Sequence, residues 1–164
     1  MKKDEFGKTA WLKAAERGKV EILEKLWDWA KELQLEPEEL RTELFFSKDE
    51  YKERAWLKAA EIIQIDILEK LWDWATELQL KPEELRHELL LSKDMFGKTV
   101  WQKAVEAGQV EIIEKLLDWN KELRLKPGDL FHGLLLPKTS KEKQSGTREQ
   151  KEVKFIYERN CRMG

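Results

Sequence analysis

The chain has 164 residues and a formal net charge of −2, so no strong charge bias points to nucleic acid or to an anionic surface. Charged residues make up 39% and hydrophobic ones 41%, with eight Trp, which is enough apolar material for a packed interior and excludes a wholly disordered chain. The single Cys161 cannot form an intramolecular disulfide, no N-terminal apolar run suggests a signal peptide, and no segment reaches the ~18 apolar residues of a membrane span. An intracellular protein, cytoplasmic or nuclear, is the expectation.

The chain repeats itself. Trp11, Trp56 and Trp101 lie 45 residues apart, as do Pro37, Pro82 and Pro127, and Asp4, Asp49 and Asp94 open the copies. Copies 4–48 and 49–93 agree at roughly two-thirds of positions without a gap, and 94–138 follows in the same register.

Each copy predicts three helical pieces. In the first copy, Thr9 is placed as N-cap for a helix from Trp11 to Glu16, and Gly18 suits the left-handed end of that helix. A longer helix from Glu21 to about Leu33 follows, with Ile22, Leu23, Leu26, Trp27, Trp29, Ala30 and Leu33 spread over a wide apolar side. Glu21, Glu24, Lys25, Asp28 and Lys31 line the remainder. Pro37 opens a third piece, with Glu38 and Glu39 at its positive end and Leu40 and Leu44 on one face. In the third copy Gly128 and Gly133 replace Glu38 and Glu43, which predicts a shorter last helix.

The first half of each copy resembles the ankyrin repeat. Asp4, Gly7, Thr9, Ala10, Trp11, Ala14, Ala15, Gly18, Glu21, Ile22 and Leu26 follow that family's order and spacing. Asp94, Gly97, Thr99, Trp101, Ala104, Gly108, Glu111, Ile112, Leu116 and Leu117 repeat it. The 45-residue unit exceeds the usual ~33, the extra length lying in the second helix and the Pro-Glu-Glu-Leu piece. The period alone also suits a HEAT or armadillo array, but neither requires Asp-x-x-Gly-x-Thr ahead of the first helix. The expected fold is all-α: a helical repeat solenoid, an ankyrin-like stack of three units, each with an extended second helix and an extra short helix.

The middle copy departs from its neighbours: Lys52 replaces the turn Gly, Arg54 the capping Thr, and Ile63 the helix-ending Gly. Two readings stand. Either the Ile62-Ile63-Gln64 turn is remodelled, or the copy has drifted at a cost in stability.

The first copy starts at the fourth residue with no cap helix ahead of it. This predicts an exposed face bearing Leu12, Leu23 and Leu26, and self-association through uncapped ends or a fragment of a longer array. From about residue 139 the composition turns polar, and residues 138–164 hold eight basic and four acidic side chains. That is the expectation of a flexible basic tail, with 153–157 able to pair as a strand or dock on the last copy.

Catalytic and cofactor signals are missing. Gly7-Lys8-Thr9 and Gly97-Lys98-Thr99 lack the upstream Gly of a P-loop. His87 and His132 make a poor zinc site without a third ligand, and Cys161 has no activating neighbour. Trp27, Trp29, Trp72, Trp74 and Trp119 fall on the apolar side of the second helix, where core packing is expected. The chain is expected to be neither an enzyme nor a cofactor or metal protein.

In ankyrin proteins partners touch the turn tips and the outer side of the first helix. The resemblance therefore implies a protein-binding surface of Glu5, Phe6, Lys8, Glu16 and Arg17. Glu50, Tyr51, Glu53, Glu61 and Ile62 match it in the second copy, and Met95, Phe96, Lys98, Glu106 and Ala107 in the third. Phe6, Tyr51 and Phe96 form an aromatic ladder suited to hot spots, unless they cover the Phe45-Phe46 region of the previous copy. The alternatives are nucleic-acid or anionic-membrane contact through the tail, and a degenerate fragment with no retained activity.

Overall fold

A computed structural model describes residues 2–62, 64–124, 148, 151, 154–156, 158 and 159. Among these residues every regular element is helical and no strand is present. The chain divides into two compact units, Met1–Val100 and Trp101–Gly164, with the boundary inside the third copy.

In the first unit, α1 (Ala10–Glu16) begins where the Thr9 hydroxyl accepts the Leu12 N–H at 3.2 Å. It ends in a Schellman turn: the N–H groups of Gly18 and Lys19 return to the carbonyls of Ala15 and Ala14, and Gly18 takes φ +66°. Helix α2 (Val20–Glu32) follows and packs against α1, one residue longer at its start than its apolar pattern predicts. It closes with the same motif around Gln34, a non-glycine at φ +51°. Helix α3 (Pro37–Leu40) starts at the proline, and the Glu39 carboxylate accepts the Glu36 N–H at 3.1 Å. The third piece then widens into a π-helical turn, Arg41–Phe45, closed by Phe46 N–H on the Arg41 carbonyl at 3.0 Å.

The second copy repeats this plan with α4 (Ala55–Glu61), α5 (Ile65–Glu77), α6 (Pro82–Glu84) and a π-helical turn at Leu85–Leu90. Helix α4 packs beside α1. Between α2 and α5 lies an aromatic cluster, with Trp74 stacked on Trp27 at 5.2 Å and tilted on Trp11 at 5.4 Å. Phe45 meets Trp11 and Trp27 edge-on or tilted at 6.3–6.4 Å. Around this cluster Lys70 pairs with Glu24 at 2.8 Å and Lys31 with Glu77 at 3.5 Å. Arg41 donates to the Leu78 carbonyl at 2.7 Å, placing a cation on the negative end of α5.

Two expectations are corrected here. Trp29 does not join the core: it is 58% exposed, whereas its counterpart Trp74 is 7% exposed. The difference comes from surroundings, because Trp74 has α1 and α2 of the first copy against it. The exposed apolar side of the first copy carries Ile22, Trp29 and Leu33; Leu12 and Leu23 are fully buried inside the copy and Leu26 is half-buried. The rings of Phe6, Tyr51 and Phe96 are exposed, and Phe45 packs on Trp11 and Trp27.

The turn in the middle copy has the flanks of its glycine-bearing counterparts. Ile62 ends α4 at φ −93° and ψ 9°, close to Arg17, and the Gln64 N–H returns to the Ala59 carbonyl at 3.2 Å. Ile63 itself lies outside the described residues.

In the second unit, α7 (Val100–Glu106, beginning one residue before the boundary) leads to Gly108 at φ +66° and then α8 (Val110–Glu122). Ile112, Ile113, Leu116, Leu117 and Trp119 are buried. Gly128, Gly133, His132 and Cys161 lie outside the described residues. Where the composition suggested a flexible tail, with 153–157 pairing as a strand or docking on the last copy, Lys154, Phe155 and Ile156 are helical, Ile156 is 7% exposed, and Arg159 pairs with Glu114 of α8 at 3.2 Å.

Candidate functional site

The turns ahead of α1, α4 and α7 are three copies of one structure, each built around an aspartate. Asp4 Oδ1 accepts the N–H groups of Phe6 (3.0 Å) and Lys8 (2.8 Å), and the Gly7 N–H bonds the Asp4 carbonyl. Asp49 holds the N–H groups of Tyr51 and Glu53 at 3.0 and 2.9 Å, and Asp94 those of Phe96 and Lys98, both at 2.9 Å. The residue after each aromatic takes positive φ: +69° at Gly7, +61° at Lys52 and +78° at Gly97. Lys52 thus adopts the glycine conformation despite its β-carbon. The backbone N–H groups that would wrap a phosphate in a P-loop are committed to Asp4 and Asp94.

Successive turns are tied to each other. Glu50 N–H donates to the Phe6 carbonyl at 3.2 Å, and 45 residues later Met95 N–H donates to the Tyr51 carbonyl at 2.9 Å. The aromatics therefore sit on a hydrogen-bonded edge, with exposures of 47% (Phe6), 44% (Tyr51) and 76% (Phe96). Met95, at 50%, lies beside them. Glu50 beside Tyr51 raises the phenol's pKa above its ordinary value.

Charged side chains behind the edge lock the turns to the helices. Lys13 pairs with Asp4 Oδ2 at 2.8 Å and, with the Lys8 backbone N–H, holds that carboxyl below its usual pKa. The second copy buries the equivalent pair: Lys58 reaches Asp49 Oδ2 at 2.8 Å and Glu53 at 2.9 Å, and is 3% exposed. Burial disfavours the Lys58 charge, but the two carboxylates outweigh it and raise its pKa. Lys8 pairs with Glu16 at 2.7 Å, and Glu16 lies 3.9 Å from Lys58. Arg54, which replaces the capping Thr, makes no cap and pairs instead with Glu88; burial lowers its pKa.

Of the residues expected at a partner surface, Glu5, Phe6, Glu50, Tyr51, Met95 and Phe96 come together on the turns and are exposed. Arg17, Glu61, Glu106 and Ala107 are exposed near the far ends of the first helices, with Ile62 half-buried. Lys8, Glu16 and Lys98 are half-buried. Glu53 differs from expectation: it is buried and bound to Lys58, so it belongs to the support of the turn. The signal for the organising role of Asp4, Asp49 and Asp94 is the Asp-to-Lys spacing of nine, which recurs at 4/13, 49/58 and 94/103.

Among the described residues, no three His, Cys, Asp or Glu side chains converge as a metal site, and no helix is long and apolar enough to cross a membrane. A cleft of about 470 Å³ beside α3 is open to solvent. Its carboxylates are engaged, Glu39 on the Glu36 N–H and Glu38 on Arg41. No protein-family model and no curated protein matches this chain.

Proposed function

We propose that this chain is an ankyrin-like helical repeat module that binds another protein along the edge formed by Phe6, Tyr51 and Phe96. The observation carrying this reading is the exposure of three aromatic rings on turns that are each fixed by an Asp carboxylate and joined by backbone hydrogen bonds. A ring on a rigid turn loses little conformational freedom on binding, so the area it buries converts efficiently into affinity. Glu5, Glu50, Lys52 and Met95 flank the rings and surround the apolar edge with charges of both signs, which would set specificity for the partner.

The 45-residue recurrence of these turns and the packing of α4 beside α1 support a repeat array. The described turns offer exposed apolar rings held by positioning carboxylates, which supports a role in recognition. The test is affinity capture with the full chain and its Phe6→Ala/Tyr51→Ala/Phe96→Ala variant, each checked for helicity and melting temperature. The triple variant is expected to keep its fold and lose the captured protein. Equal capture by both chains would reject this surface, and unfolding of the variant would show the rings to be structural.

A further inference from the structure

The junction between the first two copies shows what each side of a copy is built to meet. The trailing side of the first copy presents Glu24, Trp27 and Lys31. The leading side of the second presents Lys70, Trp74 and Glu77, and these pair as Glu24–Lys70, Trp27–Trp74 and Lys31–Glu77. Shifted back by one 45-residue period, the leading set becomes Lys25, Trp29 and Glu32 of the first copy. Those three residues are exposed, together with Ile22 and Leu33. Shifted forward by two periods, the trailing set becomes Glu114, Leu117 and Lys121 on α8. Both charges of each set are preserved, with complementary signs.

The trailing set is already engaged in part. Arg159 pairs with Glu114 at 3.2 Å, putting a cation where Lys70 sits on Glu24, and Ile156 is buried in the cleft that Val110 and Glu114 line. The C-terminal segment thus supplies one cation and one apolar side chain to α8, as a following copy would.

We propose that the two ends are complementary. The leading face around Trp29 docks head to tail on α8 of a second copy of this chain, in competition with the C-terminal segment bearing Ile156 and Arg159. A contact between unlike faces leaves one free face on each end of a dimer, so it adds further copies as an open chain, or as a ring where the rotation closes. This inference rests on the junction between the first two copies and is independent of the aromatic turn edge.

The test is sedimentation velocity of the full chain over a wide concentration range, with circular dichroism as a check on the fold. Glu114→Lys removes the partner of Arg159 and also opposes Lys25, so alone it is expected to stay monomeric. Glu114→Lys with Lys25→Glu restores the docking pair, while the cation introduced on α8 still repels Arg159. It is expected to form a concentration-dependent series of dimers, trimers and longer species. Adding Trp29→Glu should weaken that series by about tenfold or more. Equal assembly with and without Lys25→Glu would overturn the proposal. So would a species that stops at dimer, or a folded Lys25→Glu/Glu114→Lys chain that stays monomeric at its highest soluble concentration.

Discussion

Trp74 lies stacked on Trp27, with 5.2 Å between ring centroids and 19° between their planes. This contact joins the second helices of two successive copies, and Trp11 also packs on Trp74, tilted at 5.4 Å. It fixes how the first two copies meet, and so sets Phe6 next to Glu50 at the turn edge.

The same residue type at the equivalent position of the first copy tests how much of that junction is packing. Truncating a buried Trp costs ~3–5 kcal/mol through lost contacts and a residual cavity, so Trp74→Ala is expected to lower stability by about that much. Trp29, more than half exposed, should cost under ~1 kcal/mol as Trp29→Ala. Denaturant melts of the two variants check this, and equal losses would contradict the asymmetry.

Lys58 and Lys13 offer a second matched pair. Removing one partner of a buried ion pair leaves the other charge stranded, at ~3–5 kcal/mol. Lys58→Met strands Asp49, whose side chain is fully buried, and is expected in that range. Lys13→Met, at a side chain 45% exposed, should cost under ~1 kcal/mol. The sign with pH follows from the raised Lys58 pKa. The group's contribution is fully present below the unfolded value of ~10.4 and is lost as pH rises through the higher folded value. The gap between wild type and Lys58→Met should therefore hold at neutral pH and shrink only above about pH 10.

Left-handed non-glycine residues are places where the chain can be improved. Lys52 at φ +61° and Gln79 at φ +54° carry β-carbons in a conformation that costs ~1–2 kcal/mol. Glycine loses about 0.5–1 kcal/mol more backbone entropy on folding, so Lys52→Gly and Gln79→Gly should each stabilise by somewhat less than ~1 kcal/mol. Thermal melts that show a loss instead would mean that the Lys52 or Gln79 side chain contributes more than its backbone costs.

Capping separates the first and second copies. Thr9→Ala should cost ~1 kcal/mol, because the Leu12 N–H loses its acceptor. Arg54→Thr restores the capping residue of the other copies but strands Glu88, and it is expected to yield no gain. A stabilised Arg54→Thr chain in a chemical melt would show the Glu88 pair to be dispensable.

The parts of this fold that obey local rules were readable in the residues. Thr9 caps, Gly18 ends α1 and Pro37 opens α3, because each acts through its own backbone geometry. What depends on neighbours was not. Trp29 and Trp74 are identical in pattern and opposite in burial, since burial is decided by what lies alongside. Glu53 occupies the place of exposed-looking Lys8, yet Lys58 draws it inward. The positive φ of Gln34, Gln79 and Lys52 carries no glycine to announce it, and nothing in Arg41–Phe45 marks a π-helical turn. At the turn edge the aromatics were legible as a ladder, while the aspartates were legible as members of the turn motif but not as the groups that hold the rings.

Amide hydrogen exchange on the full chain, alone and with any protein it captures, addresses the proposed binding edge directly. The account predicts slowed exchange in the turns at 5–8, 50–53 and 95–98, with the amides of the Trp29 face unchanged. Protection confined to α2 or to the C-terminal segment, with the three turns unaffected, would contradict it.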